Sequence, residues 1–239
     1  MGGRYQLTLQ WDDLARTFGL LRDGEPAPPP PRWKGPRHNC APRQSVAVVR
    51  RSEGGREGLT MRWGFPPQWA WKKGKDPFDL PPLINARAED ALSKRTWASS
   101  LRARRCLVPT TGFYEWQKRG KAKFPLLFRP TDGVAAYAGI WAGFDWGDKK
   151  DWPCMAFLTV APNAAVVPVH DRMPVLLGPE SWEAWLQPDL DDDAILALLT
   201  TPAEDALAAV EVNTALNKWS AEGPETQVAD WTWDERPSC

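Results

Sequence analysis

The apolar positions of this chain fall in short, mostly non-alternating runs separated by Gly and Pro. Such runs, rich in β-branched residues and bounded by turn formers, predict buried strands. Residues 4–9 alternate in a strand-like way, and Val-Ala-Val-Val at 46–49 predicts a buried strand. Residues 50–58, polar and containing glycine, predict a hairpin loop, and 59–63 return as a second strand. Residues 106–108, 124–128, 134–141 and 155–160 are further β-type runs. Helical spacing appears between them. Trp11-Asp12-Asp13-Leu14 opens a short helix ending near Gly19, with acids at its start and Leu14 and Phe18 on one side. Residues 88–101 offer Leu92, Trp97 and Leu101 to one face, 179–186 and 191–199 are helical, and 203–210 predicts a short helix turning into a strand.

Two stretches lack a period. Residues 24–36, with Pro26, four prolines at 28–31 and Pro36, predict an extended surface connector. Residues 66–82, rich in Pro, Trp and Lys, predict a long loop. Short strands with helices set outside them predict an α+β fold, one domain with a curved, mostly antiparallel, barrel-like sheet flanked by helices. Its expected extent is 1–222, with 223–239 a peripheral acidic tail.

Composition narrows the class. The chain has 239 residues, 43% of them apolar and 25% charged, an ordinary globular balance. No apolar run suits a bilayer, and the opening Met-Gly-Gly-Arg-Tyr lacks the regions of a signal peptide. Cys40, Cys106, Cys154 and Cys239 form neither a disulfide framework nor a zinc motif. No membrane contact, metal or cofactor is expected, and a reducing cytoplasm is.

The zero net charge conceals an asymmetry. Residues 1–129 hold 25 Lys and Arg against 11 Asp and Glu, whereas residues 130–239 hold 5 against 19. Either the basic half supplies a face for nucleic acid, or the halves fold together and neutralise each other. The 15 tryptophans predict mostly core and rim packing, with those beside arginines able to stack unpaired bases.

Several segments offer chemistry. His170, with His38 one of two histidines, sits among Pro168-Val169-His170-Asp171-Arg172-Met173-Pro174, where a loop or strand edge is expected; it is either structural or an acid/base group. Asn85 and Arg87, two apart, can reach one side of an extended segment; the alternative is a helix N-cap by Asn85 with an Arg–Glu surface pair. Glu115 lies between Tyr114 and Trp116, a setting that desolvates a carboxylate and suits it to proton transfer; the alternative is an edge-strand glutamate facing water. Arg62 beside Trp63 and Phe65 has the composition of a base-stacking platform, or of core packing.

Read in order, Gly3-Arg4-Tyr5, Asn39-x-Ala41-Pro42, Met61-Arg62-Trp63-Gly64, Asn85-Ala86-Arg87-Ala88-Glu89, Gly112-Phe113-Tyr114-Glu115-Trp116 and His170-Asp171-Arg172-Met173-Pro174 form a series. Over roughly residues 2–215 it resembles the SRAP (SOS-response-associated peptidase) family, whose members shield abasic sites in single-stranded DNA. In that family an exposed N-terminal cysteine condenses with the abasic aldehyde through its amine and closes a thiazolidine with its thiol. By this resemblance Asn85 orients the sugar or the N-terminus, Glu115 handles protons at the amine, and His170 assists ring-opening and reversal. Arg4, Asn39, Pro42 and Arg87 match positions lining the DNA groove, and Arg62 adds charge there. Trp63 and Phe65 would contact or wedge the bases.

Position 2 departs from the pattern, being Gly2 where the family carries cysteine. Thiazolidine needs thiol and amine on one residue, so a stable cross-link is not expected, whereas a Schiff base and β-elimination remain open. The resemblance implies single-stranded DNA, abasic-site DNA and single/double-strand junctions as partners of a monomer in a bacterial cytoplasm or nucleoid. The competing functions are a single-stranded-DNA-binding module without chemistry, a peptidase as the family name implies, and a protein scaffold using the acidic half.

Overall fold

In chain order the first elements are β1 (Tyr5–Leu7), α1 (Trp11–Phe18), the small hairpin β2 (Leu21–Arg22) and β3 (Glu25–Pro26), β4 (Arg37–Cys40), β5 (Ser45–Ser52), β6 (Gly55–Trp63) and β7 (Asn85–Arg87). Then come α2 (Ala88–Ala91), α3 (Ala98–Ala103), β8 (Arg105–Thr110), β9 (Gly112–Arg119), β10 (Ala122–Pro130), β11 (Ala135–Trp146) and β12 (Lys149–Val160). The last are β13 (Met173–Pro174), β14 (Leu176–Leu177), α4 (Pro179–Leu186), α5 (Asp192–Ala197) and β15 (Leu207–Glu211). The computed structural model describes residues 3–67, 76–146 and 149–228.

Strands β5, β6, β12, β11 and β8 close a ring: each pairs with the next, and β8 pairs back to β5. Only the β12–β6 pairing in this ring is parallel. Closure removes the open edges that would invite another chain. A second sheet, in the order β15-β10-β9-β1-β4, packs against the barrel. This is the α+β, mostly antiparallel, barrel-like fold expected from the apolar runs.

Those runs do not alternate because both strand faces are covered. Residues 46–49, 135–140 and 154–160 are buried throughout. One face fills the barrel and the other meets helices or the second sheet. Trp182 of α4 stacks on Phe18 of α1 at 4.1 Å, and Trp185 donates from Nε1 to the Cys106 carbonyl at 2.9 Å. Helix α1 ends as expected at Gly19, whose φ of 67° is the left-handed conformation that glycine adopts without a Cβ clash.

Several expectations need correction. The loop placed at 50–58 is a tight turn, since Ser52 already pairs with Gly55 and Arg50 bonds Glu57 across the strands. The helix placed at 88–101 is two short helices joined by turns, although Leu101 and Trp97 do face the core. Within 24–36, Glu25–Pro26 pairs back on Leu21–Arg22, and Trp33 packs on Trp11 at 5.5 Å. Within the segment expected as a tail, Thr226 is buried and Gln227 donates to the Tyr114 hydroxyl at 2.8 Å, whereas Val228 is exposed. Residues 229–239 lie outside the described residues.

The two charge halves meet. Arg37–Glu222, Arg51–Glu183, Arg102–Asp192, Arg119–Glu211 and Arg172–Glu89 are ion pairs between them. The first four of these pairs neutralise part of the asymmetry internally; Arg172–Glu89 runs the opposite way. Among the described residues no helix is long and apolar enough to cross a membrane, and no cluster of three or more His, Cys, Asp or Glu could hold a metal.

Candidate functional site at the start of the chain

The start of the chain is pinned by one aromatic side chain. Tyr5 is fully buried and meets Trp63, Tyr137 and Phe157 edge-on at 5.6, 5.6 and 5.8 Å. Ahead of it the chain leaves the core beside β9. Tyr5 lies opposite Phe113, and the Tyr114 N–H donates to the Arg4 carbonyl at 3.1 Å. Continuing that antiparallel register sets Gly3 opposite Glu115. Glu115 is 3% exposed, so it is the buried carboxylate rather than the edge-strand one.

On its other side Gly3 approaches Pro42 and Ile84 closely. A Cβ at Gly3 would stand 3.1 Å from Pro42 Cγ and 3.5 Å from Ile84 Cδ1. Ile84 leads into Asn85, the first residue of β7. That strand is held from both sides: the Ile84 carbonyl accepts from Trp63 Nε1 at 3.2 Å and from the Phe157 N–H at 3.2 Å. Phe65 bridges to Leu83.

The Asn85 side chain caps no helix, since Arg87 occupies the N-cap position of α2. Its Oδ1 is buried without a hydrogen-bond partner. An orphaned acceptor costs about 1–3 kcal/mol. Native structures rarely keep one unless a ligand or water completes it.

His170 belongs to the same corner. The Arg172 N–H donates to its Nδ1 at 3.0 Å. Burial pushes the imidazole pKa below its ordinary value; the Asp171 carboxylate, 2.8 Å from Nδ1 but 83% exposed, only partly opposes this. Arg172 ties the His170 loop down with two 2.7 Å bonds to Glu89 and one of 3.3 Å to Thr159 Oγ1. Thr159 pairs with Arg87 across β7 and β12, and Asn85 with Phe157. Arg87 itself is exposed.

A cleft of 840 Å³ opens at Gly3, lined among others by Arg4, Pro42, Trp116, Lys121 and Lys123; Asn85, Arg87, Glu115 and His170 are not among its lining residues. Trp116, Lys121 and Lys123 lie outside the sequence-predicted set; the signal for the lysines is the basic run Lys118-Arg119-Gly120-Lys121-Ala122-Lys123 that follows the Glu115 segment. Arg4 is half-buried, 5.7 Å from the Trp116 ring, and donates to Asn39 Oδ1 at 2.9 Å and the Leu216 carbonyl at 3.2 Å. Arg62 donates to the carbonyls of Arg43 and Phe78 at 3.0 and 3.1 Å.

Three of the expected DNA contacts are buried in this structure: Trp63 and Phe65 are each 1% exposed and Asn39 is 0% exposed. The hydrophobic and hydrogen-bonding partners are internal instead. Trp63 and Phe65 support β7, and Asn39 Nδ2 donates to the Lys218, Trp219 and Ala221 carbonyls. Cys40 is buried with its thiol pushed up to about 12 by desolvation, so it offers no thiolate. Gly2 lies outside the described residues.

The model of the SOS response associated peptidase (SRAP) family matches residues 1–219. The abasic site processing protein YoqW of Bacillus subtilis is 29% identical over 231 residues, covering 94% of this chain and 98% of its own. YoaM of the same organism, also named an abasic site processing protein, is 30% identical and covers 91% and 93%. A crystal structure of a protein from Bacteroides thetaiotaomicron superposes with a TM-score of 0.75 at 21% identity, covering 91% of this chain and 95% of that one. At that identity the likeness concerns the fold.

Proposed function

Since this chain belongs to the SRAP family, we propose that it processes abasic sites in DNA, taking a single strand into the cleft at the start of the chain. The carrying observation is the junction at Gly3, with the register of buried Glu115 on one side and the strand of Asn85 on the other. Removal of Met1 would leave the Gly2 amine as nucleophile. A glutamate kept from water can accept the ammonium proton and return it to the carbinolamine oxygen as water departs. The nitrogen lone pair adds to the aldehyde carbon, and loss of that oxygen leaves an imine. The orphaned Asn85 Oδ1 receives a donor from the opened sugar, and His170 moves the ring-opening proton.

Gly2 carries no thiol, so the imine does not close to a thiazolidine. Two exits remain. Water returns to the imine and releases the sugar intact, or a base removes a C2′ proton, the C3′–O bond breaks and the downstream strand leaves on its 5′ phosphate, after which water hydrolyses the unsaturated imine and frees the amine.

The test is incubation with single-stranded DNA carrying one abasic site, followed by a denaturing gel with and without borohydride. An adduct only with borohydride, with slow strand cleavage in its absence, is expected. Glu115→Gln should slow trapping by about 100-fold, the size of a lost proton-transfer group. DNA bound without any adduct would instead make the chain a binding module. An adduct stable without reduction would contradict the role given to position 2.

A further inference from the structure

Next to the reaction cleft lies a second one, of 640 Å³, lined by Lys34, Arg37, Arg43, Gln44, Ser45, Trp219, Ser220 and Glu222. The two share a ridge. Pro42 and Asn217 line the first cleft, whereas Arg43 and Trp219 line the second. Trp219 is 68% exposed, the most exposed large apolar side chain among the described residues. Water contact over an indole is unfavourable, so a bare ring on a fixed mount points to something that covers it.

The mount is indeed fixed. Asn39 Nδ2, fully buried, donates to the carbonyls of Lys218, Trp219 and Ala221 at 3.4, 3.4 and 2.6 Å. Glu222 locks the same strap to β4 through the His38 and Asn39 N–H groups and through Arg37 at 2.8 Å. That pairing uses up the one carboxylate of the cleft and leaves Lys34 and Arg43 as its exposed charges.

Arg43 is held at a cost. It is the third residue of a turn closed by the Gln44 N–H and the Ala41 carbonyl at 3.3 Å, with φ at 73°. That position favours glycine, and a side chain there is strained. The strain fixes a guanidinium on the ridge, where one nitrogen donates to the Asp79 carbonyl at 3.2 Å.

We propose that Trp219, Arg43 and Lys34 form a second nucleic-acid subsite, which takes the single strand as it leaves the reaction cleft over the Pro42–Asn217 ridge. It stacks a base on Trp219 and sets the neighbouring phosphates against Arg43 and Lys34. The subsite rests on the reading of the first cleft as a DNA site. Charge selects this occupant: an exposed aromatic ring among cations with no unpaired carboxylate suits a polyanion with open π-faces.

The experiment is fluorescence anisotropy with labelled single strands of about 5 and about 15 nucleotides, the short one filling a single cleft and the long one spanning both. Trp219→Ala should bind the long strand ~10-fold more weakly and the short one unchanged, with Trp219→Phe restoring most of the loss. Arg43→Gly relieves the turn, so its melting temperature should hold or rise while the salt slope for the long strand falls by about one contact. Unchanged binding of the long strand by Trp219→Ala overturns the subsite. So does an equal loss on both lengths, which would report damage to the first cleft. Failure of the unaltered protein to bind either strand overturns the subsite and the reading beneath it together.

Discussion

At the scale of single residues, burial turns polar side chains into reagents. His170 has its imidazole pKa lowered by desolvation. Its proton-accepting form therefore persists below the ordinary imidazole pKa of about 6.5. The rate of borohydride trapping should be flat from neutral pH down to that value and fall only below it. His170→Ala should abolish that acid limb, and a limb unchanged in the variant would remove His170 from the chemistry. The sign for stability is the same: burying the neutral ring is unpenalised above its unfolded pKa, and the penalty grows as pH falls below it. Asn85 makes a second prediction. Its Oδ1 is buried and unpaired, so Asn85→Ala should leave the melting temperature unchanged or raised while trapping falls. A melting point several degrees lower would mean the amide is structural. Neither property could be read from the residue names, because both depend on what packs around them.

At the scale of elements, the barrel carries its helices on one buried arginine. Arg105 is 6% exposed, and the Asp189 carboxylate acts on it only through space; it donates to the carbonyls of Leu101 and Arg102 at the end of α3, and to those of Trp185 and Gln187 at the end of α4. Both helix ends present unsatisfied carbonyls and negative dipole charge, which one guanidinium meets at once. Arg105→Met should cost about 3 kcal/mol by orphaning them. In a chain of this size that lowers the melting temperature by roughly 6–12 °C, and a shift under about 2 °C would sink the assignment. The strands were legible in the apolar runs and α1 in its capping residues. The break of 88–101 into two helices was not, because Leu92, Trp97 and Leu101 reach the core from either arrangement. Trp63 and Phe65 misled for a related reason: an aromatic beside an arginine looks the same whether it faces solvent or packs beneath β7.

At the scale of the whole molecule, the second sheet takes strands from both ends of the chain, and ion pairs join its basic and acidic halves. Neither half can complete the core alone, so unfolding should be one transition, coincident by far- and near-ultraviolet circular dichroism; two separated transitions would contradict this. The fold class follows from the chain's pattern alone, since non-alternating apolar runs imply strands covered on both faces. So do the family, through motifs standing in one order, and the absence of a thiol at position 2. Which of those motif residues line the cleft came from the packing: Gly3, Arg4, Pro42 and Trp116 do. Burial is a property of the neighbours: it hides Asn39, Trp63 and Phe65, encloses Glu115 and exposes Trp219. It was likewise the closing of the barrel and the anchoring of the 216–227 segment that brought Arg4, Arg43 and Trp219, far apart in the chain, to two sides of one ridge.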